Sequence, residues 1–460
     1  MRPLVVLDVV GLTPELLGKH TPHLARLAAS GFQAELRAIL PAVTCSAQST
    51  ILTGLLPRHH GIVGNGWYFR DLAEVWFWRQ SNRLVHGKKV WEMGRERDSS
   101  FTCAQVFWWY NMYSTADWSV TPRPIYPADG RKISGIYTQP AELREAIERG
   151  LGAFPLFDFW GPRAGIRSSE WIARAARLII ERHRPTLTFV YLPHLDYDLQ
   201  RFGPDSPGLR VQLQAIDDVA GGLIDFARQR EMEVMVLSEY GIAKVSSSIS
   251  VNRILRQAGF LAVQKALDWE LLDPGASRAF SVSDHQIAHV YIERPEDIGP
   301  VRRLLESTEG IEQVLDRDGQ ATHGLDHARA GELVLVSKKD RWFDYYYWLD
   351  DRLAPDFAPT VDIHRKPGYD PAELFLDPSQ RGMRLKIAWK LFKKALGFRC
   401  LMDVIPIRSS LVRGSHGRLP EKPTEGPVLL SSSRKERTSR LEMTQVAELI
   451  LETIKGEPRG

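Results

Sequence analysis

The chain has 460 residues, 43% of them hydrophobic and 25% charged, enough to bury a large core and too apolar for a disordered chain. A formal net charge of +4 is small for this length, so no global field calls for a nucleic-acid partner, although a basic rim would suit a small anionic substrate. Three widely separated cysteines, Cys45, Cys103 and Cys400, show no CxxC spacing, which argues against a disulfide scaffold or a cysteine zinc site and for a reducing compartment.

In chain order, Met1-Arg2-Pro3 leads into an apolar run over 4–7 that is too short for a signal peptide and is followed by Asp8 rather than a cleavage site. It reads as a first strand. No apolar stretch is long enough to cross a bilayer, so a cytoplasmic location is expected. Thr21-Pro22 predicts a helix start, closed by Gly31. The run PAVTCSAQSTILTG then places Thr44 just before a helix that reaches Gly54.

Residues 67–165 carry Trp67, Trp76, Trp78, Trp91, Trp108, Trp109 and Trp118 with little clean periodicity, and read as an insertion over the sheet, packed as a local core or serving as a lid. Apolar runs at Leu187–Leu192, Glu233–Leu237, Ile287–Ile292 and 333–336 alternate with helical patterns such as 209–230, a parallel-sheet signature. Residues 256–399 read as a smaller α/β subdomain. Within it, 384–396 places Leu385, Ala388, Trp389, Phe392 and Leu396 on one helical face, with lysines largely opposite. Such a basic amphipathic helix docks on its own domain or makes weak contact with a membrane surface. Periodic apolar residues over 441–454 predict a last helix. The core α/β domain thus comprises 1–66, 166–255 and 400–460.

Active residues of open α/β sheets collect beyond the carboxyl ends of the strands. Asp8, Asp196 and Glu239 each follow a predicted strand, and His416 stands on the glycine-flanked turn RGSHG. An acid after one strand is commonly a cap, but several in one pocket repel each other unless a cation neutralises them. Thr44, at a helix N-terminus, is an N-cap or a nucleophile placed where a bound phosphate is favoured.

The segment PAVTCSAQSTILTGLLPRHHGIVGN, from Pro41 to Asn65, resembles the nucleophile region of the nucleotide pyrophosphatase/phosphodiesterase family, and LDVVG, YLPHLDYDLQRFGP, LSEYGI and RGSHGRL resemble its later motifs in the same order. Phosphonoacetate hydrolase belongs to the same wider superfamily. The resemblance implies an alkaline-phosphatase-like fold, with a mainly parallel sheet flanked by helices and inserted cap segments. It implies a metal-dependent hydrolase of phosphate or phosphonate esters working through a phospho-threonine intermediate on a small phosphorylated substrate. Carried over by position, Asp8, Thr44 and Glu239 would hold one divalent metal, Asp196 and His416 a second, and Asn65 a phosphate oxygen.

Three positions depart from the family: Gln200 stands where it has histidine, and Glu239-Tyr240 replaces its Asp-His. The family implies zinc, whereas Gln200 and Tyr240 as oxygen donors favour manganese or magnesium. His285, His289 and His364 are the histidines that could return nitrogen to the site; His59 and His60 read as turn packing and contacts behind the ligands. A phosphotransferase or isomerase of the superfamily, or a degenerate protein that binds a phosphorylated ligand, is the alternative function.

Overall fold

The computed structural model describes residues 1–433 and 439–455. Its strands begin with β1 (Leu4–Val9), β2 (Phe32–Arg37), β3 (Cys103–Val106), β4 (Trp118–Pro122), β5 (Ile136–Gln139), β6 (Leu187–Leu192) and β7 (Glu233–Leu237). They continue with β8 (Ala279–Asp284), β9 (Ile287–Ile292), β10 (Ile311–Leu315), β11 (Leu333–Ser337), β12 (Val428–Ser431) and β13 (Arg440–Glu442). The main helices are α1 (Pro22–Ser30), α2 (Thr44–Thr53), α3 (Ile166–His183), α4 (His194–Phe202), α5 (Leu209–Arg228), α6 (Met383–Ala395) and α7 (Val446–Lys455).

Among the described residues one nine-stranded sheet runs β13-β2-β12-β7-β1-β6-β3-β4-β5. The strands from β7 to β4 are mutually parallel, whereas β12 and β5 pair antiparallel with their neighbours. Strand β1 is buried along its whole length, as the apolar run Leu4-Val5-Val6-Leu7 demands of a strand covered on both faces. Its alternation splits the core: Val5, Leu7 and Val9 face the layer containing α1, α3 and α5, while Leu4 and Val6 face α2 and α7.

The α/β expectation holds, with differences of detail. Strands β9 and β11 belong to a separate antiparallel sheet, ordered β8-β9-β11-β10, rather than to the parallel one; their apolar runs report burial on two faces, which does not distinguish the two sheet types. Residues 67–165 do not simply lie over the sheet, because β3, β4 and β5 are members of it. These strands are four or five residues long and sit among tryptophans, so no alternation marks them. The last helix starts at Val446, not 441, because Leu441 pairs with Leu36 in an edge strand. No described helix is long and apolar enough to cross a membrane, and the three cysteines are free.

Candidate active site

Parallel neighbours end at the same edge of a sheet, so β1, β6 and β7 deliver their following residues together. Asp8 lies near the end of β1, beside Tyr191 and Leu237. Asp196 falls in the first turn of α4, and Glu239 follows β7 by two residues. Thr44 is the first residue of α2, with Val43 as the cap, so the N-cap reading does not hold and the hydroxyl stands at the positive end of the helix dipole. Thr44, Asp8, Asp196 and Glu239 are all buried.

The Thr44 Oγ1 lies 3.1 Å from the Tyr240 hydroxyl, and that hydroxyl donates to Asp196 Oδ1 at 3.3 Å. Tyr240 has one proton and gives it to Asp196, so the Thr44 hydroxyl donates to Tyr240. A chain thus runs from threonine through tyrosine to a carboxylate. Burial pushes the Asp196 carboxyl up to about 7.

Gln48, one turn along α2, ties the first pair of acids. Its carbonyl oxygen accepts the Trp109 backbone N–H at 2.8 Å, which turns its nitrogen towards Asp8 Oδ2 at 3.1 Å and Glu239 Oε1 at 2.6 Å. The other oxygens, Asp8 Oδ1 and Glu239 Oε2, are buried without a protein partner. Burial and the charge of Glu239 push the Asp8 carboxyl well above its usual range, and burial raises Glu239 too. Two such acids need a proton or a cation between them.

The second cluster is furnished differently. Tyr369 donates to Gln200 Oε1 at 2.8 Å, so Gln200 presents its nitrogen to Asp196 Oδ2 at 2.7 Å. His416 donates Nδ1–H to the Ala42 carbonyl at 2.8 Å, which leaves the Nε2 lone pair 3.9 Å from Asp196 Oδ1. Burial lowers His416 to about 3, so the ring is neutral, as a metal ligand must be. Tyr240 stacks on it at 3.6 Å and 7°.

The small sheet contributes its hairpin tip. Asp284 pairs with Ile287 across a two-residue turn, where His285 takes a positive φ of 63°, an unusual conformation for a side-chain-bearing residue. Asp284 accepts from Asn65 N at 2.7 Å and Asn65 Nδ2 at 3.0 Å, while Asn65 Oδ1 accepts the Cys45 backbone N–H at 3.0 Å. This fixes the Asn65 amide against the first turn of α2, with one Nδ2 hydrogen left for a ligand. His285 lies between His416 at 3.6 Å and Tyr369 at 3.7 Å, and its Nδ1 is buried without a partner.

The structure therefore brings Asp8, Thr44, Asn65, Asp196, Gln200, Glu239, Tyr240, His285 and His416 together. It does not bring His364, which is exposed at the surface and lies near Arg79, Lys132 and Arg123. His289 spends both ring nitrogens on the Val63 carbonyl and the Gly331 N–H, and His60 bonds Thr50 and Ile62, so both are structural. Gln48, Asp284 and Tyr369 are partners that the sequence reading did not single out. Trp78 and Trp160 pack against Tyr369, and Trp109 against Trp78, so part of the tryptophan-rich stretch packs as a cover of aromatic rings over this cluster.

The donor set tests whether metal ions fit. Asp8 Oδ1, Glu239 Oε2 and Thr44 Oγ1 form an all-oxygen group that suits one hard divalent ion. At the second position Asp196 and His416 are two donors, because Gln200 turns its nitrogen inward. Among the described residues the acids and histidine whose ligand atoms all converge within 4.8 Å are His23, Asp217 and Asp218. There, however, both Asp217 oxygens accept backbone N–H groups at the start of α1.

A parallel-centred sheet, acids beyond its strand ends and a threonine opening a helix define an alkaline-phosphatase-like α/β protein. The chain belongs to the type I phosphodiesterase/nucleotide pyrophosphatase family, whose sequence pattern matches residues 4–370. An uncharacterized pyrophosphatase/phosphodiesterase of Schizosaccharomyces pombe is 27% identical over 256 residues, covering 53% of this chain and 45% of the relative; the chain thus aligns with less than half of that protein. Phosphonoacetate hydrolase of Sinorhizobium meliloti, solved with phosphonoformate, shares the fold at a TM-score of 0.62 and 13% identity, over 98% of this chain and 96% of the other. An inactive variant of murine ectonucleotide pyrophosphatase/phosphodiesterase 5, solved with AMP, does so at 0.58 and 13% identity, over 99% and 95%.

Proposed function

We propose that this protein hydrolyses phosphate or phosphonate esters of small molecules, with Thr44 as the nucleophile. The observation that carries the reading is the buried chain from Thr44 through Tyr240 to Asp196 at the positive end of α2. It supplies the two needs of phosphoryl transfer: a path for the nucleophile's proton, and a field that favours a phosphate. As Thr44 attacks phosphorus, its proton passes to Tyr240 and the Tyr240 proton to Asp196. The Asn65 amide, held by Asp284, donates its remaining hydrogen to a non-bridging oxygen. A divalent ion at Asp8, Glu239 and Thr44 would supply Lewis-acid stabilisation of the developing charge. AMP and phosphonoformate in the related structures support an anionic phosphorus ligand of that size.

If the tyrosine hydroxyl carries the proton, Tyr240→Phe lowers kcat about 10- to 100-fold and leaves KM near its original value. Steady-state kinetics on a chromogenic phosphodiester read this directly; unchanged kcat removes the relay and leaves Thr44 to another base.

The oxygen-rich donor set also sets an order of metals. Protein stripped by a chelator should lose turnover and regain more of it with manganese or magnesium than with zinc, despite zinc's greater intrinsic affinity. Gln200→His, which adds an imidazole beside Asp196 and His416, should shift the preference towards zinc. Highest activity with zinc in the unaltered protein, unaffected by His285→Ala, would contradict this account. The inward nitrogens of Gln48 and Gln200 favour a second reading, binding of a phosphorylated ligand without turnover. Saturable AMP or phosphonate binding with no product from any ester, with each metal supplied, would establish it instead.

A further inference from the structure

Helix α6 is built the wrong way round for a helix docked on a water-soluble surface. Met383 and Ile387 pack with Ala372, Val404 and Ile405, which fixes the face turned to the protein. Lys386 and Lys390 lie beside that face, where both bridge to Asp403, Lys386 at 3.0 Å. Directly opposite, one helical turn apart in pairs, stand Leu385 (77% exposed), Trp389 (57%), Phe392 (53%) and Leu396 (60%). Phe398 (63%) continues the patch. An amphipathic surface helix normally shows water its charged side; here the apolar side is outward, as at a surface that meets another apolar phase.

The charges around the patch indicate which phase. From 381 to 402 the sequence contains no acidic residue, and Arg381, Arg384 and Lys393 border the apolar face without an ion pair among the described residues. Lys393 lies 5.2 Å from the Trp389 ring, which itself stacks with Phe392 at 5.7 Å. The Arg399 guanidinium donates to the Ala128 carbonyl, joining the helix end to a loop whose Ile125, Tyr126 and Ile133 are also exposed. A second protein partner would have to answer every one of these cations with its own acids. An anionic bilayer does so with each headgroup, and takes the tryptophan, phenylalanine and leucine side chains into its interface.

We propose that α6 docks this protein reversibly on anionic membrane surfaces, lying in the interface plane with Leu385, Trp389, Phe392 and Leu396 inserted. This goes beyond the phosphoesterase reading and does not depend on it. Co-sedimentation of the full chain with vesicles of phosphatidylcholine alone, and with roughly 30% phosphatidylglycerol, tests it. Binding to the anionic vesicles is expected to exceed binding to the neutral ones about tenfold and to weaken with salt. Trp389→Glu with Leu396→Glu should lower it at least about tenfold, and Arg384→Ala with Lys393→Ala several-fold, with unfolding midpoints unchanged because Arg384, Trp389 and Leu396 are exposed and Lys393 is half-buried without an ion pair among the described residues. Equal sedimentation of the glutamate variant, or no binding to anionic vesicles, overturns the proposal. So does a solution dimer that the glutamate variant dissociates while vesicle binding is absent, since the face would then belong to a second copy of the chain.

Discussion

Thr44→Ala is expected to lower turnover of any ester substrate by about a thousandfold or more, while the circular dichroism, the unfolding midpoint and most of the metal binding remain. The methyl side chain keeps the helix, because Val43 and not Thr44 caps α2. What is lost is the oxygen proposed to attack phosphorus, which also lies against the Tyr240 hydroxyl. Activity within a few-fold of the unaltered protein would remove Thr44 as nucleophile and with it the covalent route. Metal titration on the same variant separates the two roles of this oxygen, since Asp8 and Glu239 still offer their unpartnered oxygens.

The second large effect lies beneath the cover of the site. Lys366 is 1% exposed, and its ammonium sits 2.7 Å from both Asp370 and Glu373. Glu373 also takes the Trp160 indole N–H and the Asp362 backbone N–H. Lys366→Met should destabilise the fold by about 3–5 kcal/mol, because removing one member of a buried ionic group leaves its partners charged and unpaired. Tyr369 lies between Lys366 and Asp370 in sequence, so loosening this group should also free the ring that covers His285 and fixes Gln200. Denaturant titration measures the loss. A change below about 1 kcal/mol would mean that the two acids are protonated or solvated in the folded protein, and that the group does not brace the cover.

The parts of the site legible in the sequence are those that local chemistry marks. Strand ends exposed Asp8, Asp196 and Glu239, and the run into a helix exposed Thr44, since strand and helix boundaries are written in nearby residues. His416 was marked by its glycine-flanked turn, whereas Asn65 rested on resemblance to known motifs, and the structure gathers both with the acids. Gln48, Asp284 and Tyr369 were illegible for a physical reason. Their roles come from a backbone N–H of Trp109, from a hairpin tip of a separate sheet and from a ring stack, and none of these leaves a periodic or spaced trace. The same holds for the short strands β3, β4 and β5, whose place is set by pairing with distant partners. The outward apolar face of α6 was visible as periodicity, but only packing shows which side of that helix the protein covers.

Stereochemistry at phosphorus tests the covalent role of Thr44 most directly. A phosphodiester made chiral with sulfur and heavy oxygen isotopes, turned over in isotopically labelled water, reports how many in-line displacements have occurred. Attack by Thr44 followed by attack of water inverts the centre twice, so the account predicts net retention of configuration in the monoester product. Net inversion would show a single direct attack by water, and would contradict a phospho-threonine at position 44 however strongly Thr44→Ala lowers turnover.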